Sequence, residues 1–504
     1  MIRALWQLLL SVAFVLGTLA PTIGYAQGTP AVADLLKFVP ETANAVMVIR
    51  VQDLVNSPRG QAEKWRTADN HDLLDGALRI PPWVNLLVRA SHISSQSLQG
   101  NWTVSLTPRP ENLTLETMIK MADANVEKIG DQTVARNRRG YAAEVRPGVI
   151  GMMSPPLRQD FARWVRGEFI GDRHPLSPYL QITAANTTAP IVLAYDLQDF
   201  FDPLHLQQFL AASPTLAKTP EKQAPLLRLL TQLQGARMAI QVDDQITADF
   251  QLNFFTELPP DAAILRELLI EAAGDAGLGL PELEQAEVTV SDKTVSLRMG
   301  LSDSSLRLLL TLITAPLPEQ QSATMANNTT GTQRTVDVAA TQAYYTEMRR
   351  LIRDLRSLNR RNAGYDRTAT WHDNYARRIR EMSTIGVDTR LLQFGANTAD
   401  RFTALANSLR GVPVDLQALE DKIRVNLNVT TWEPGGVWTA WGYHPAPWEV
   451  NSNVLDVRAA QRQAVEQGAR DREAIWQAIE KERVEVRDFL NSKYSRDFDN
   501  PPRR

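Results

Sequence analysis

The sequence predicts an α+β protein with two duplicated domains, each an antiparallel sheet with helices, followed by a mainly α-helical C-terminal module with a Trp-rich hairpin. Three observations predict this class: an apolar, strand-like segment recurs along the chain, a polar linker follows its second copy, and apolar residues beyond the linker recur at helical spacing. A chain of 504 residues suits about two to four domains. Its 44% hydrophobic content is typical of packed cores.

Residues 1–26 have the pattern of a secretory signal peptide. Arg3 precedes an apolar run over residues 5–20, and Ala26 is a small residue of the kind that signal peptidases require. The alternative is an uncleaved anchor, but this run is shorter than the roughly 20 residues that span a bilayer. We therefore expect cleavage after Ala26, export to the periplasm or cell surface of a bacterium, and no integral membrane span afterwards.

A duplication is predicted by AVMVIRVQDLVN (residues 45–56) and IVLAYDLQDFFD (residues 191–202), which lie 146 residues apart. Later segments correspond in the same order: TVSL (103–106) with DFQL (249–252), the helical segment from Thr114 with that from Pro260, DQTV (131–134) with DKTV (292–295), and the helix from Leu157 with that from Leu306. The pattern predicts α+β domains over residues 34–180 and 186–315, with helices on one face of each sheet. We expect a ligand-sized groove where the domains meet.

Residues 316–340 are rich in Pro, Ser, Thr, Asn and Gln, which predicts a flexible linker. The helical module is predicted over residues 341–496. Its first three helices are indicated by apolar positions at helical spacing, namely Tyr344, Met348, Leu351, Ile352, Leu355 and Leu358 in the first, Trp371, Tyr375, Ile379 and Met382 in the second, and a third that ends near Gly411.

The last predicted helix runs from about Asp456 to Tyr494. Its heptad pattern is imperfect, because Gly468, Arg472 and Glu482 occupy seam positions. This favours an intramolecular helical bundle over a coiled-coil dimer.

The stretch TTWEPGGVWTAWGYHPAPWEV (residues 430–450) follows an alternating strand and predicts a β-hairpin at about 424–444. It holds the candidate ligand-binding residues Trp432, Trp438, Trp441 and Trp448. Two interpretations stay open: the rings bind carbohydrate, or they pack the hairpin between helices. Trp438 and Trp441 point to opposite faces of a strand, which argues against a flat stacking platform and favours packing.

The composition excludes several kinds of chemistry. A net charge of −3 gives no general attraction to nucleic acid, and the absence of cysteine excludes thiolate nucleophiles and thiolate metal sites. The six histidines form no H-E-x-x-H motif, and the sequence has neither a G-x-S-x-G elbow nor a phosphate-binding glycine loop. We therefore predict no catalytic residue, no metal site and no cofactor.

Two clusters have competing interpretations. Asp199, Asp202 and His205 could hold a metal ion, but Asp202 before Pro203 is typical of a helix N-cap, which we favour.

The second cluster is arginine-rich. It comprises Arg349, Arg350, Arg353, Arg356, Arg360 and Arg361. These side chains could bind phosphates of lipid headgroups or lipopolysaccharide. Alternatively they pair with acids such as Glu480 and Glu485 of the last helix, which is the interpretation we favour.

Two segments carry a family resemblance. FVPETANAVMVIRVQDLVNSPRGQAEKW (residues 38–65) and the stretch from YYTEMRRLIRDLRSLNRR to WHDNYARRIREMSTIGVDTRLLQFG (residues 344–395) resemble uncharacterised exported proteins of planctomycete-type bacteria. The resemblance covers about half of the chain and carries no catalytic motif. It implies an envelope location.

The sequence thus predicts an exported, non-catalytic envelope protein with a binding or scaffolding role. Its expected partners are envelope polysaccharide or another envelope protein. One alternative is a carbohydrate-binding protein that uses the Trp-rich hairpin. The other is an envelope-polymer hydrolase with Asp53 and Asp199 paired in the groove between the repeats, where glycoside hydrolysis would need carboxylates about 5–10 Å apart.

Overall fold

The chain divides into two compact units, Met1–Leu317 and Pro318–Arg504. The structure is a computed structural model that describes residues 32–66, 83–93, 100–111, 124–137, 140–167, 176–259, 264–275, 278–311, 336–361, 368–382, 386–412 and 468–500, with single residues between some of these ranges. The first unit combines helices with an antiparallel sheet, and the second is helical, as the sequence predicts.

The strands of the first unit are β1 (Ala45–Arg50), β2 (Leu86–Ile93), β3 (Gly100–Pro108), β4 (Asn125–Ile129), β5 (Gln132–Arg136), β6 (Tyr141–Arg146), β7 (Val149–Ser154), β8 (Ile191–Asp196), β9 (Leu233–Val242), β10 (Ile246–Phe254), β11 (Glu287–Ser291) and β12 (Thr294–Leu301). Its helices within the described ranges are α1 (Val32–Leu36), α2 (Val51–Asn56), α3 (Pro58–Ala62), α4 (Arg158–Val165), α5 (Pro178–Asn186), α6 (Pro203–Ala211), α7 (Gln223–Leu230), α8 (Ile264–Asp275) and α9 (Asp303–Leu309), with short 3₁₀ helices at Pro220–Lys222 and Pro281–Gln285.

These strands form one twelve-stranded sheet in the order β11-β12-β10-β9-β8-β1-β2-β3-β7-β6-β5-β4. The two halves of the sheet join at its centre, where β1 and β8 pair antiparallel. The register runs from Ala45 opposite Tyr195 to Ile49 opposite Ile191. The two regions that the sequence predicts as separate domains are therefore joined by backbone hydrogen bonds at this strand pair.

One predicted correspondence between the halves is wrong. The strand next to β3 is β7, whereas the strand next to β10 is β12. The DQTV segment lies at the turn of the β4–β5 hairpin on the sheet edge, and DKTV lies at the β11–β12 turn. The two segments are similar in sequence because both lie at hairpin turns, but the two hairpins occupy different positions in the sheet.

The apolar side of the sheet changes between the halves. Residues paired across neighbouring strands point to the same side of the sheet. Val48, Val88 and Leu106 are paired in this way across β1, β2 and β3. All three are buried in a hydrophobic cluster with side chains of α1, α4 and α5. In the other direction this pairing continues from Val48 through Val192 and Ala239 to Asp249 and Arg298, so this side becomes polar at β10.

On the opposite side of β9, β10 and β12, Met238, Phe250, Leu252 and Leu297 are buried. The core therefore lies on different sides of the sheet in the two halves. A shift of one residue in the polar–apolar alternation is enough to cause this, because side chains along a strand alternate between faces.

An ion pair ties α3 to α9, elements that lie far apart in sequence. The Arg59 guanidinium donates to both carboxylate oxygens of Asp303, at 2.8 and 2.9 Å. This bond is also the main cause of a lowered pKa of Asp303. The pair is bidentate and partly buried, which makes it stronger than an ordinary surface ion pair.

We predict a coupling free energy of about 1 kcal/mol between Arg59 and Asp303. It is measured by a double-mutant cycle with Arg59→Gln, Asp303→Asn and the double variant in urea unfolding. Strictly additive single-variant effects would contradict the prediction.

In the described part of the second unit the helices are α10 (Val338–Arg361), α11 (Ala369–Glu381), α12 (Thr389–Leu409) and α13 (Ala469–Tyr494). The predicted apolar faces of its first two helices are buried, which confirms their periodicity. Helix α10 begins at Val338, inside the predicted linker, and α12 ends at Leu409, close to Gly411 as the sequence predicts. Gly411 has a φ of +77°, which suits a glycine after a helix end. The predicted hairpin at 424–444 lies outside the described residues.

The imperfect heptad of α13 has a local explanation. Glu482 accepts hydrogen bonds from Asn397 at 2.7 Å and from Arg401, both on α12. Arg472 donates to Ser408 of the same helix at 3.1 Å. The polar seam positions are therefore hydrogen-bonded within this unit, as an intramolecular bundle requires. Among the described residues, no helix is long and apolar enough to cross a membrane.

Candidate functional site

A surface groove of about 600 Å³ lies between α10, α13 and the segment after α13. We call it the arginine groove. It is lined by Arg349, Ile352, Arg353, Arg356, Ser357, Glu480, Arg483 and Asp499.

The helical repeat brings these side chains together. Arg349, Arg353 and Arg356 are spaced by four and three residues on α10 and therefore share a face. Leu351 and Leu355 of the same helix are fully buried and hold it against the core of the unit. The arginine groove therefore has a firm helical wall.

Asp499 is a centre of hydrogen bonds at one end of the groove. Its carboxylate accepts from the Tyr345 hydroxyl at 2.9 Å, from Arg349 at 3.0 Å and from Arg487 at 3.3 Å. Arg483 lies 3.8 Å away. The adjacent Phe498 is fully buried and packs edge-on against the Tyr345 ring, which fixes the position of Asp499.

Burial raises the pKa of Tyr345 to about 12, and its hydrogen bond to Asp499 adds to this effect. The hydroxyl therefore stays a donor at neutral pH.

Glu480 holds two further arginines of the groove. It accepts from Arg356 at 2.9 Å and from Arg483 at 3.0 Å. The predicted pairing of this arginine cluster with Glu480 is confirmed for Arg356, whereas Glu485 is exposed on α13. Arg350 lies outside the groove and pairs with the buried Glu347 at 2.9 Å. The side chains at positions 360 and 361 lie outside the described set.

The lining of the groove carries an excess of positive charge. It contains the guanidinium groups of Arg349, Arg353, Arg356 and Arg483 but only the carboxylates of Glu480 and Asp499. The side chains of Arg349 and Arg356 are 41% and 36% exposed, so solvent reaches both. Guanidinium groups remain charged at any relevant pH and donate in a planar fork that matches carboxylate and phosphate oxygens. The arrangement therefore suits an anionic ligand.

The predicted carboxylate pair is not formed. Asp53 follows the carboxyl end of β1 and Asp199 follows that of β8. These strands are antiparallel, so their carboxyl ends lie at opposite ends of the strand pair. At one end the Arg50 N–H donates to the Pro190 carbonyl, and at the other the Asp196 N–H donates to the Asn44 carbonyl. A six-residue strand spans about 17 Å. That separation is too large for the carboxylate pair of a glycoside hydrolase.

The interpretation of Asp202 as a helix cap is confirmed. Its carboxylate accepts from the Leu204 N–H at 2.8 Å, and Pro203 opens α6. In the other half Ser57 caps α3 in the same way, accepting from the Gly60 N–H at 3.0 Å before Pro58. His205 lies 3.0 Å from Asp202. Within the described part of the chain, no cluster of three metal-ligating side chains occurs.

The candidate ligand-binding residues Trp432, Trp438, Trp441 and Trp448 lie outside the described residues. Their role in carbohydrate binding or in packing stays a prediction. Sequence reasoning missed Arg483 and Asp499 as site residues. Arg483 and Arg487 are four residues apart on α13, which is a weak signal for a basic face, but no local pattern shows that the chain turns back to bring Asp499 against α10.

Comparison with known proteins adds little to this geometry. No protein-family model matches the sequence, and no curated protein matches it. Among solved structures, crystal forms I, III and IV of TP0453 are similar over 56%, 55% and 56% of this chain and 98%, 97% and 97% of theirs. The identity is 11% in each case, with TM-scores of 0.31, 0.32 and 0.30. A likeness at this level supports no conclusion about function.

Proposed function

We propose that this chain is an exported, non-catalytic protein of the bacterial envelope that binds an anionic envelope component through the arginine groove. The observation that carries the proposal is the excess of arginine over carboxylate in a groove of ligand size. The partner class is an envelope polysaccharide with acidic groups or an acidic surface of another envelope protein.

Preorganisation supports a binding role. Glu480 and Asp499 hold Arg349, Arg356 and Arg483 in fixed positions by hydrogen bonds of 3.0 Å or less. An incoming anion then meets guanidinium groups whose conformational freedom is already restricted, which lowers the entropic cost of binding.

The exported location rests on the sequence. Residues 1–26 combine a basic residue, an apolar run and a small-residue site, which is the pattern of a secretory signal. The resemblance of residues 38–65 to exported proteins points the same way. Fractionation of cells that produce the tagged chain tests this part, and recovery in the cytoplasm would contradict it.

We further propose that the sheet unit arose by duplication. Outward from the central β1–β8 pair, the next two strands follow in chain order on both sides. They are β2 and β3 beside β1, and β9 and β10 beside β8. Helix α1 precedes β1 as α5 precedes β8, and their starts at Val32 and Pro178 are 146 residues apart. In this proposal the β4–β5 hairpin is an addition to the first half.

The groove is tested by removing two of its positive charges. We predict that Arg349→Gln with Arg356→Gln weakens binding of pyrophosphate and of an alginate oligosaccharide by about a hundredfold or more, because each of the two charge-assisted hydrogen bonds contributes about 1.5–3 kcal/mol. Isothermal titration on the full chain measures the affinity. Pyrophosphate and alginate separate a preference for phosphate from one for carboxylate.

The matched control is Arg390→Gln with Arg470→Gln, which removes the same charge from exposed positions of the same unit. Its affinity should change by less than about threefold, since exposed charges act only through a screened field. Equal losses in both variants, or no binding of either anion by the unaltered protein, would show that the groove is not an anion site.

A further inference from the structure

The segment after α13 places a carboxylate of the chain itself in the arginine groove. The Asp499 carboxylate accepts from the Tyr345 hydroxyl at 2.9 Å and from Arg349 at 3.0 Å, both on α10, and from Arg487 of α13 at 3.3 Å. Arg483 of α13 is 3.8 Å away. We call these four donor side chains the Asp499 subsite. Donors from two helices thus converge on one carboxylate, as they would on the anionic group of a ligand.

The backbone of this segment is held without the Asp499 side chain. Helix α13 is followed by Ser495, whose φ of +49° is the left-handed conformation that ends a helix. Phe498 is fully buried, its N–H donates to the Asn491 side chain at 2.9 Å, and its carbonyl accepts from Gln342 at 2.9 Å. The position of the backbone at residue 499 therefore depends on the anchoring of residue 498.

A turn stabilised by Asp497 supports the same backbone. The Asp497 Oδ1 accepts from the N–H groups of Asp499 at 2.9 Å and of Asn500 at 3.2 Å. Arg349 also donates to the Asp499 main-chain carbonyl, at 2.6 Å. Because the Asp499 side chain is 25% exposed, rotation about its χ1 can carry the carboxylate into solvent. The backbone and the Arg349 guanidinium keep their positions in such a rotation.

The charges of the subsite allow one anion to replace another. Arg483 also pairs with Glu480 at 3.0 Å, and Arg487 pairs with Asp488 at 2.8 Å. Among the described residues, the carboxylate that pairs with Arg349 is that of Asp499. When this carboxylate turns away, the positive charge of Arg349 and the Tyr345 hydroxyl are both available to an incoming anion.

We propose that the anionic group of the ligand binds at the Asp499 subsite in place of the Asp499 carboxylate. Asp499 is then an intramolecular competitor that sets the affinity of the arginine groove. This inference rests on the proposed binding of anions in that groove. A competitor on the same chain acts at an effective concentration of about millimolar or higher. The subsite therefore selects ligands with several negative charges, since a single carboxylate offers no more than Asp499 itself does.

Isothermal titration of the full chain with pyrophosphate tests the competition. We expect Asp499→Asn to tighten binding by about fivefold or more, because asparagine has nearly the same shape but no charge with which to hold the guanidinium groups. In the Asp499→Asn background, Tyr345→Phe should weaken binding by about threefold or more, since the hydroxyl then donates to the bound anion. Hydrogen exchange in α10 and α13 should show that each variant retains the fold of the helical unit.

The matched control is Glu485→Gln, which removes the same negative charge from an exposed position of α13. This position is two residues from both Arg483 and Arg487 and therefore lies on another face of the helix. The affinity of this variant for pyrophosphate should change by less than about twofold, since an exposed charge acts only through a screened field.

The direction of the Asp499→Asn effect decides between competition and positioning. If Asp499 only positions the arginines, its replacement weakens binding. Weaker or unchanged binding in Asp499→Asn therefore overturns the competition, while pyrophosphate binding that is lost in Arg349→Gln with Arg356→Gln still supports the groove. Absence of binding in both the unaltered chain and Asp499→Asn overturns the competition and the proposed function together.

Discussion

Replacing Glu347 with leucine is expected to destabilise the helical unit by about 3–5 kcal/mol. The Glu347 side chain is only 1% exposed, and its carboxylate accepts from Arg350 at 2.9 Å and from Arg378 at 2.8 Å. Both arginines are themselves largely buried, at 10% and 17% exposure. The substitution removes the carboxylate that these two guanidinium groups share, and a buried charge without its counter-charge is costly.

Urea-dependent hydrogen exchange in peptides from α10 and α11 measures this effect for the helical unit alone. Two comparisons make the result specific. Glu485→Gln, at an exposed position of α13, should change stability by less than about 0.5 kcal/mol. Replacing Glu347, Arg350 and Arg378 together by leucine should recover most of the loss, because apolar groups of similar volume need no counter-charge. A small effect of Glu347→Leu alone would mean that water reaches these arginines.

Acidification is expected to weaken the same unit through His372. This side chain is fully buried, its Nδ1–H donates to the Thr368 carbonyl at 2.8 Å, and its ring meets those of Phe402 and Trp476. Burial lowers its pKa to about 4, although the hydrogen bond to Thr368 acts to raise it, and the nearby Arg410 and Arg472 lower it further. The folded unit thus holds this histidine neutral.

The direction of the pH effect follows from this lowered pKa. Below the ordinary histidine pKa of 6.5 the unfolded chain binds a proton at His372 that the folded unit does not bind until the pH falls to about 4. The free energy of unfolding therefore falls as the pH drops through this window. We expect a loss of about 2 kcal/mol between pH 7 and pH 5, and about 3 kcal/mol in total.

Hydrogen exchange in α11 and α12 at pH 7 and pH 5, corrected for the intrinsic pH dependence of exchange, measures this loss. The variant His372→Phe fills a similar volume but cannot be protonated, so its stability should change by about 2 kcal/mol less over this interval. His205→Phe lies in the other unit and should leave the pH response of the helical unit unchanged. The same pH response in the unaltered chain and in His372→Phe would show that other groups cause it.

Local patterns were sufficient for many elements. Apolar residues at steps of three and four identified the buried faces of α10 and α11, and Asp202–Pro203 identified a helix start. These features depend on neighbours within about one helical turn, so the sequence contains all the information that they need. Pairing of Arg356 with Glu480 was also anticipated, since both lie on long helices of the same predicted bundle.

Longer-range features were not accessible in this way. The pairing of β1 with β8 depends on contacts between residues about 146 positions apart. Because these strands are antiparallel, Asp53 and Asp199 follow opposite ends of the strand pair instead of sharing one groove. The change of the polar side at β10 also depends on register across several strands. Each strand alternates in the same way whichever side it presents to the core, so alternation alone does not fix the side.

By itself, the sequence determined that this protein combines an α+β region with a helical C-terminal region, and it located the helix caps and the apolar helix faces. Only the tertiary structure decided which charges meet. It brought Asp499 to Arg349 and placed Asp249 beside Arg237 on one face of the sheet. The reason is physical: secondary structure follows from local periodicity, whereas a binding site requires groups that are distant in sequence to be held a few ångströms apart.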